Sequence, residues 1–167
     1  MPSRNLCSLY RTQGNTQHAS DFCQQALDTA REGNEPDAEA NALNELGNLY
    51  QYMNEHQQAI DFYQQALEVA KRIDYRRGAI NALEGLGFIS NRLEEYEQAI
   101  DYNQQSLEIK REIGDLSGQA ISLSIIGLFL MNSGQLAEAE NILFQSIEAY
   151  ESLRSDLSDS QLMALPD

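Results

Sequence analysis

Apolar residues recur three and four positions apart along almost the whole chain, with polar residues between them. The stretch from Leu43 through Leu46, Ile60, Tyr63 and Ala70 shows the pattern clearly. This spacing is typical of amphipathic α-helices, because one helical turn contains 3.6 residues. The sequence therefore predicts an all-α protein. The predicted helices cover residues 3–13, 16–32, 37–53, 56–72, 77–93, 96–112, 117–132 and 136–153.

The pattern repeats every forty residues without a gap. Residues 41–80 and 81–120 are identical at 16 of 40 aligned positions. Each unit contains two helices, and such a pair is too small to bury its own apolar face, so its stability comes from stacking on neighbouring pairs. We therefore expect one solenoid domain over residues 1–153, followed by a tail, 154–167, that has room for a short capping helix. The repeats cover about 1–33, 34–73, 74–113 and 114–153.

Small residues mark the turns and the close contacts of each repeat. Gly14, Asn54 and Gly134 occupy equivalent turns, and Glu94 fills the remaining one. We expect a left-handed backbone at these positions, which suits glycine and asparagine. Gly33 and Gly114 are expected to close second helices. A further set of small residues predicts close approach of the two helices within a pair: Gly47, Gly87, Gly127, Ala59, Ala99 and Ala139.

The run LNELGNLY, followed by Ala59, Tyr63 and Ala66, resembles the tetratricopeptide repeat signature. Leu43 stands where that family often has tryptophan, and Cys7 replaces the glycine in the first repeat. The forty-residue length resembles the long-helix subtype of kinesin light chain-like adaptors. This resemblance implies a right-handed superhelix whose first helices line a concave, peptide-binding groove. More weakly, YESLRSDLSDSQ resembles the junction after the repeat arm of bacterial, especially cyanobacterial, proteins that end in a CHAT protease domain.

If the first helices line a groove, residues at fixed steps around each repeat's glycine should face it. The asparagines of the central repeats can each donate and accept hydrogen bonds, which suits a peptide main chain. We therefore expect Asn44→Ala and Asn48→Ala to weaken binding and to leave the fold intact or slightly more stable, because alanine is the better helix former. The alternative interpretation is that these polar residues only solvate a wide surface. The predicted groove residues are Arg4, Ser8, Arg11, Asn41, Asn44, Asn48, Tyr52, Asn81, Glu84, Phe88, Asn91, Arg92, Ile121, Ser124, Leu128 and Met131.

The predicted groove changes character along the chain. Arg4 and Arg11 can receive an acidic side chain or a terminal carboxylate. Ile121, Leu128 and Met131 are apolar, and we expect them to form a patch with Phe88. The tail, a second copy, a missing neighbour or a ligand can cover this patch, so a homo-oligomer through the fourth repeat is one alternative. The tail offers Leu157, Leu162, Met163 and Leu165.

Composition narrows the classes of partner. With 11 Lys+Arg against 26 Asp+Glu, the net charge of -15 repels nucleic acid. No apolar run is long enough for a signal peptide or a membrane span, so we expect a soluble, cytoplasmic protein without a membrane partner. Cys7 and Cys23 fall on apolar helix positions, and we expect buried free thiols.

The chain lacks the patterns that indicate catalysis or a bound cofactor. His18 and His56 have no ligands at metal-binding spacing, and there is no phosphate-binding glycine loop or nucleophile motif. The predicted function is therefore a non-catalytic adaptor or scaffold that binds a protein or peptide and needs no cofactor or metal. The alternative is a self-associating structural or regulatory arm of a larger assembly, such as the sensor arm of a CHAT-type protease.

Overall fold

A computed structural model describes the backbone of residues 2–163 and the side chains of residues 6–155. Within this part of the chain, all regular structure is α-helical, as predicted. The first seven helices begin and end within one residue of the predicted bounds. The helices are α1 Pro2–Thr12, α2 Thr16–Glu32, α3 Pro36–Tyr52, α4 His56–Arg72, α5 Arg76–Arg92, α6 Tyr96–Glu112, α7 Leu116–Asn132 and α8 Leu136–Met163.

Each turn between helices contains one residue with positive φ. The predicted left-handed residues Gly14, Asn54, Glu94 and Gly134 all have this conformation. The turns that follow second helices use Asn34, Asp74 and Gly114. Gly33 closes α2 as predicted, with φ -76°, and the left-handed residue of that turn is the next one, Asn34. The turn residues therefore repeat with the same forty-residue spacing as the apolar positions.

Helix α8 contains 28 residues, whereas α2 to α7 contain 17 each. Its continuation has a local reason. Arg154 occupies the position of Asn34, Asp74 and Gly114, and arginine lacks the preference of glycine, asparagine and aspartate for the left-handed conformation. The helix consequently passes the point where the other second helices end. The backbone of residues 154–163 belongs to α8, so a separate helix starting after residue 153 is not formed. The side chains of Leu157, Leu162 and Met163, and all of Leu165, lie outside the described residues.

The chain divides into two compact units, residues 1–93 and 94–167. In the first unit, each of α1 to α4 contacts the next helix, and the first helices also touch, α1 with α3 and α3 with α5. The ring of Tyr63, on α4, reaches between two first helices because glycines face it. A Cβ on Gly47 would come within 2.6 Å of this ring, and one on Gly85 would come closer still. The side chain is fully buried.

The second unit contains α6 to α8, with contacts between α6 and α7 and between α7 and α8. A Cβ on Gly127 would lie 2.6 Å from Leu143, which explains the small residue there. The buried ammonium of Lys110 donates to the carbonyl oxygen of Gly118 at 3.3 Å and to Oγ of Ser122 at 2.8 Å. The apolar core of this unit is formed by Ala99, Ile100, Leu107, Leu123, Ile126, Phe129, Leu130 and Ala139.

Cys7 and Cys23 are buried as predicted, but they are joined in a disulfide and are not free thiols. Their Cα atoms are 5.2 Å apart. The repeat explains why they meet. Cys7 and Cys23 occupy the positions of Gly47 and Tyr63, a small and a large residue in contact across one helix pair. Two cysteines at these positions necessarily face each other, and the sequence interpretation did not apply the repeat register to this pair.

Candidate functional site

The first helices of the first three repeats, α1, α3 and α5, together form a polar pocket of about 390 Å³ in the first unit. Arg11 comes from α1, Asn48, Gln51 and Tyr52 from α3, and Phe88 and Arg92 from α5, while Asn54 lies in the turn after α3. These residues meet because they hold equivalent positions in successive repeats. Ser8, Asn48 and Phe88 share one position, and Arg11, Gln51 and Asn91 share another. The stacking of repeats therefore builds this surface.

The hydroxyl of Tyr63 is hydrogen-bonded to two carboxamides of the pocket. Its hydroxyl lies 2.7 Å from Oδ1 of Asn48 and 2.8 Å from Oε1 of Gln51. Because a hydroxyl has only one hydrogen, it donates to one carboxamide and accepts from the amino group of the other, which is turned over. One carboxamide then presents its amino group to the pocket and the other its oxygen. Such a pair matches the acceptor and donor of a peptide main chain.

Burial raises the pKa of the Tyr63 hydroxyl far above its ordinary value. The charge of Glu45 raises it further, and the charge of Arg11 lowers it. The hydroxyl therefore stays protonated at every pH at which the protein is expected to work. It remains available as the hydrogen-bond donor that fixes Asn48 or Gln51.

Two arginines give the pocket its charge. Among the described residues, the lining contains Arg11 and Arg92 and no carboxylate. Arg92 donates from Nη2 to Oδ1 of Asn54 at 3.2 Å, which positions its guanidinium. The Nε of Arg11 is buried and has no hydrogen-bond partner within the described part of the chain. In a chain with net charge -15, such a concentration of positive charge suits an acidic group of a ligand.

Two of the predicted groove asparagines are not on the surface. Asn41 and Asn44 are 5% and 3% exposed, so the expectation that they lie open in a groove was wrong. The Nδ2 of Asn44 donates to the carbonyl oxygen of Gly78 at 3.0 Å, and the Tyr75 hydroxyl donates to Oδ1 of Asn41 at 3.1 Å. Both amides therefore connect α3 to the beginning of α5. The asparagines in the middle of α3 do have a special role, as their poor helix propensity indicated. Their hydrogen-bond partner, however, is the neighbouring repeat and not a bound peptide.

The other predicted residues fall into distinct environments. The pocket collects Arg11, Asn48, Tyr52, Phe88 and Arg92. Asn81 is exposed on α5 away from it, and Ser8, Glu84 and Asn91 are half-buried. The hydroxyl of Ser124 is used internally, 2.7 Å from Oγ of Ser146. The side chain of Arg4 lies outside the described residues.

Sequence reasoning missed Gln51 and Asn54. Gln51 has the position of Arg11 and Asn91, both of which were selected, so the repeat register would have identified it. Asn54 was recognised only as a turn residue, and its oxygen also accepts from Arg92. The signal for Asn54 was its place immediately after a first helix whose last turn lines the pocket.

In the second unit, α7 presents apolar side chains to solvent. Ile121, Leu128 and Met131 are about half exposed. Leu128 and Met131 hold the positions of Asn48 and Gln51 in the first unit. The same repeat positions are therefore polar in one unit and apolar in the other.

The described residues contain no group of three or more histidine, cysteine or acidic side chains arranged to hold a metal ion. None of the helices in the described part of the chain has the length and apolarity needed to cross a membrane.

The fold and this surface define an all-α helical-repeat protein. The sequence profile of the tetratricopeptide repeat family matches residues 2–72 and 78–152, and the chain belongs to that family. Tetratricopeptide repeats are in general non-catalytic modules that bind other proteins. The resemblance noted from the repeat signature is thereby confirmed.

Solved structures share this fold at low sequence identity. BtubC (BKLC) from P. vanneervenii is 18% identical, with a TM-score of 0.81 over 91% of this chain and 63% of that chain. Aspartyl phosphate phosphatase F from Bacillus subtilis is 16% identical, with a TM-score of 0.84 over 90% and 40% of the two chains. The apo form of RapI is 14% identical, with a TM-score of 0.82 over 95% and 58%.

The present chain therefore spans between 40% and 63% of the length of these three proteins. At such identities the likeness establishes the fold alone. Kinesin light chain-like repeat proteins are also among the similar structures. No curated protein matches the sequence.

Proposed function

We propose that this chain is a non-catalytic adaptor that binds a segment of another protein on the surface of its first helices. The observation that carries the proposal is the pocket shared by α1, α3 and α5, with two arginines and two oriented carboxamides. Membership in a family of protein-binding modules supports the same conclusion.

The ligand of this pocket is an extended peptide with an acidic side chain or a terminal carboxylate. The guanidinium groups of Arg11 and Arg92 receive the carboxylate, and the carboxamides of Asn48 and Gln51 bond the adjacent main chain. Asn41 and Asn44 do not contribute, because their amides are used inside the protein. The exposed apolar residues of α7 offer a separate contact for a hydrophobic side chain.

A positional-scanning peptide library tests this proposal. We expect the wild-type protein to retain peptides with Glu or Asp at one fixed position, and Arg11→Gln and Arg92→Gln to lower their affinity about tenfold each. Arg72→Gln is the matched control, because it makes the same change of charge on an exposed position of α4, outside the pocket. Equal retention of acidic and basic peptides, or an equal loss in the Arg72 variant, would refute the assignment.

A second candidate function is a structural or regulatory arm that associates through its apolar surfaces. The half-exposed side chains on α7 and α8 favour it, because soluble monomers rarely leave such surfaces uncovered. It predicts assembly without any peptide ligand, whereas the adaptor function predicts binding by the isolated chain.

A further inference from the structure

The two helices of the first repeat are joined in a way that the second repeat does not use. In the second repeat, the ring of Tyr63 on α4 packs on Gly47 of α3, where a Cβ would lie 2.6 Å from the ring. In the first repeat the equivalent positions are Cys7 on α1 and Cys23 on α2, and a disulfide connects them. A covalent bond therefore takes the place of a large side chain packed on glycine.

Tyr63 does more than fill space, because its hydroxyl bonds to two carboxamides of the pocket, one of which is Gln51. The position of Gln51 belongs to Arg11 on α1. Cys23 lies where the tyrosine would be, and a disulfide sulfur has no hydrogen to donate. The bond that orients Gln51 consequently has no counterpart at Arg11. The Nε of Arg11 is buried and lacks a hydrogen-bond partner within the part of the chain that the structure describes.

The placement of Arg11 therefore depends on where α1 lies. This helix packs against α2 and α3. Arg11 follows Cys7 by four residues, so the two side chains lie on the same side of α1, one turn apart. The ring of Tyr10 also stacks on that of Phe22 in α2, with centroids 5.3 Å apart. The second repeat has an equivalent stack, so the feature that distinguishes the first repeat is the disulfide.

We propose that the disulfide between Cys7 and Cys23 is a redox switch for the peptide-binding pocket. The inference rests on the proposed function, since it concerns the regulation of the same site. In the oxidised chain the bond fixes α1 to α2 one turn from Arg11, whose guanidinium lines the pocket together with that of Arg92. In the reduced chain two small thiols meet where Tyr63 fills the space of the second repeat. This weaker contact allows α1 to move, Arg11 leaves the pocket, and the affinity for a carboxylate falls.

The switch needs a dithiol reductant, and the disulfide form of that reductant reverses it. One thiolate of the reductant attacks a sulfur of the protein disulfide and forms a mixed disulfide, and its second thiol then displaces the remaining cysteine. Two electrons and two protons pass to Cys7 and Cys23, which become thiols, while the reductant becomes a disulfide. Both cysteines are 1% exposed, so the exchange takes place when α1 transiently opens from α2.

The peptide affinity of the full chain in its two redox states tests the proposal. The probe is a fluorescein-labelled peptide of alanine and serine with one central glutamate, and fluorescence anisotropy measures its binding. Dithiothreitol is the reductant, and alkylation of two thiols per chain shows that reduction is complete, since the sequence contains 2 cysteines. We expect reduction to raise the dissociation constant about tenfold, which is the loss expected for Arg11→Gln.

Three variants assign this change to Arg11 and to the disulfide. Arg11→Gln should bind weakly in both states with no further loss on reduction, because the reduced chain has already lost this contact. Arg92→Gln is the matched control, and it should bind weakly but keep a ratio of about tenfold between the two states. Cys7→Ala with Cys23→Ala should bind like the reduced chain and should be unaffected by dithiothreitol.

Hydrogen exchange of the same samples measures how firmly α1 is held, without any peptide. Reduction should speed the exchange of the α1 amides about tenfold or more and leave the amides of α4 unchanged. A chain that binds the probe in neither state refutes the proposed function, and the exchange of α1 then decides on the switch.

Three results overturn the switch. The first is an equal affinity for the probe in the two states of a chain that binds it, and the second is a redox difference that persists in Arg11→Gln. The third is an exchange rate of α1 that reduction does not change. Circular dichroism completes the test, because loss of the helical signal of the whole chain on reduction would show that the bond holds the entire fold, which also overturns a local switch.

Discussion

At the scale of single residues, the buried side chains of Asn41 and Asn44 connect neighbouring repeats. Asn44 bonds to the backbone of Gly78, and Asn41 bonds to the hydroxyl of Tyr75. Asn44 donates to the carbonyl oxygen of Gly78, which lies in the first turn of α5. Its own Oδ1 is buried without a partner among the described residues. The side chain therefore both satisfies a backbone group and leaves an acceptor unsatisfied. The first effect is the larger, because the bond connects α3 to α5 and removing the buried side chain would also leave a cavity between them.

We predict that Asn44→Ala destabilises the protein by about 1 kcal/mol, net of the better helix propensity of alanine. This reverses the expectation from sequence that the fold stays intact. Asn81→Ala is the control, since Asn81 is exposed on α5 at the same repeat position as Asn41. It should stabilise by up to about 0.5 kcal/mol. Urea denaturation measures both, and equal stability of the two variants would show that the bond to Gly78 contributes nothing.

At the scale of elements, the helix ends depend on residues that adopt a left-handed backbone. Glu94 is the long, charged member of a set that otherwise contains Gly14, Asn54 and Gly134. Gly114 has φ 71° and open space where a Cβ would point. Both positions therefore isolate the cost of the backbone conformation from any cost of packing.

We predict that Gly114→Ala destabilises by about 1 kcal/mol, and that Glu94→Gly stabilises by about 0.5–1 kcal/mol. The opposite signs follow because one change adds a Cβ to a left-handed residue and the other removes it. The midpoints of urea unfolding are the measurement. A shift in the same direction for both variants would mean that the turns are not under conformational control.

The disulfide is a second feature of this scale, because it fixes α1 to α2 through residues 16 positions apart. Closing a loop of this length contributes about 3 kcal/mol, so reduction should lower the melting temperature markedly. Cys7→Gly with Cys23→Leu is the informative variant, since it copies the pair formed by Gly127 and Leu143. It should be indifferent to reductant.

A wild-type melting temperature that reductant does not move would contradict the predicted contribution of this bond. Disulfides are rare in a reducing cytosol, so the predicted cytoplasmic location implies free thiols at Cys7 and Cys23, whereas the structure contains the disulfide. Thiol alkylation of the protein in freshly broken cells distinguishes them. Free thiols there would agree with a cytoplasmic location.

At the scale of the whole molecule, the dominant property is the net charge of -15. Mutual repulsion of carboxylates destabilises the compact state, and salt screens it. We predict that raising NaCl from about 0.02 to about 0.5 M increases the melting temperature and, in the same range, weakens binding of acidic peptides. The two trends have opposite signs because the pocket gathers arginines although the chain as a whole is acidic. Parallel trends, measured by calorimetry and by peptide titration, would exclude a charge-based site.

The sequence by itself determined the helices, their forty-residue repetition and the positions of the turns. Each of these depends on local chemistry, namely the spacing of apolar residues and the few residue types that tolerate a left-handed backbone. It also contained the reason for the long α8, because Arg154 replaces Asn34, Asp74 and Gly114. These features needed no knowledge of which side chains meet.

Only the tertiary structure decided what the polar and sulfur-containing side chains do. Asn44 and Asn48 have the same residue type on the same helix, yet one bonds the neighbouring repeat and the other belongs to the pocket. Cys7 and Cys23 looked like two separate apolar positions until the helix pair brought them together. The physical reason is that hydrogen bonds, disulfides and exposure depend on the distances between helices. Local sequence patterns do not contain those distances.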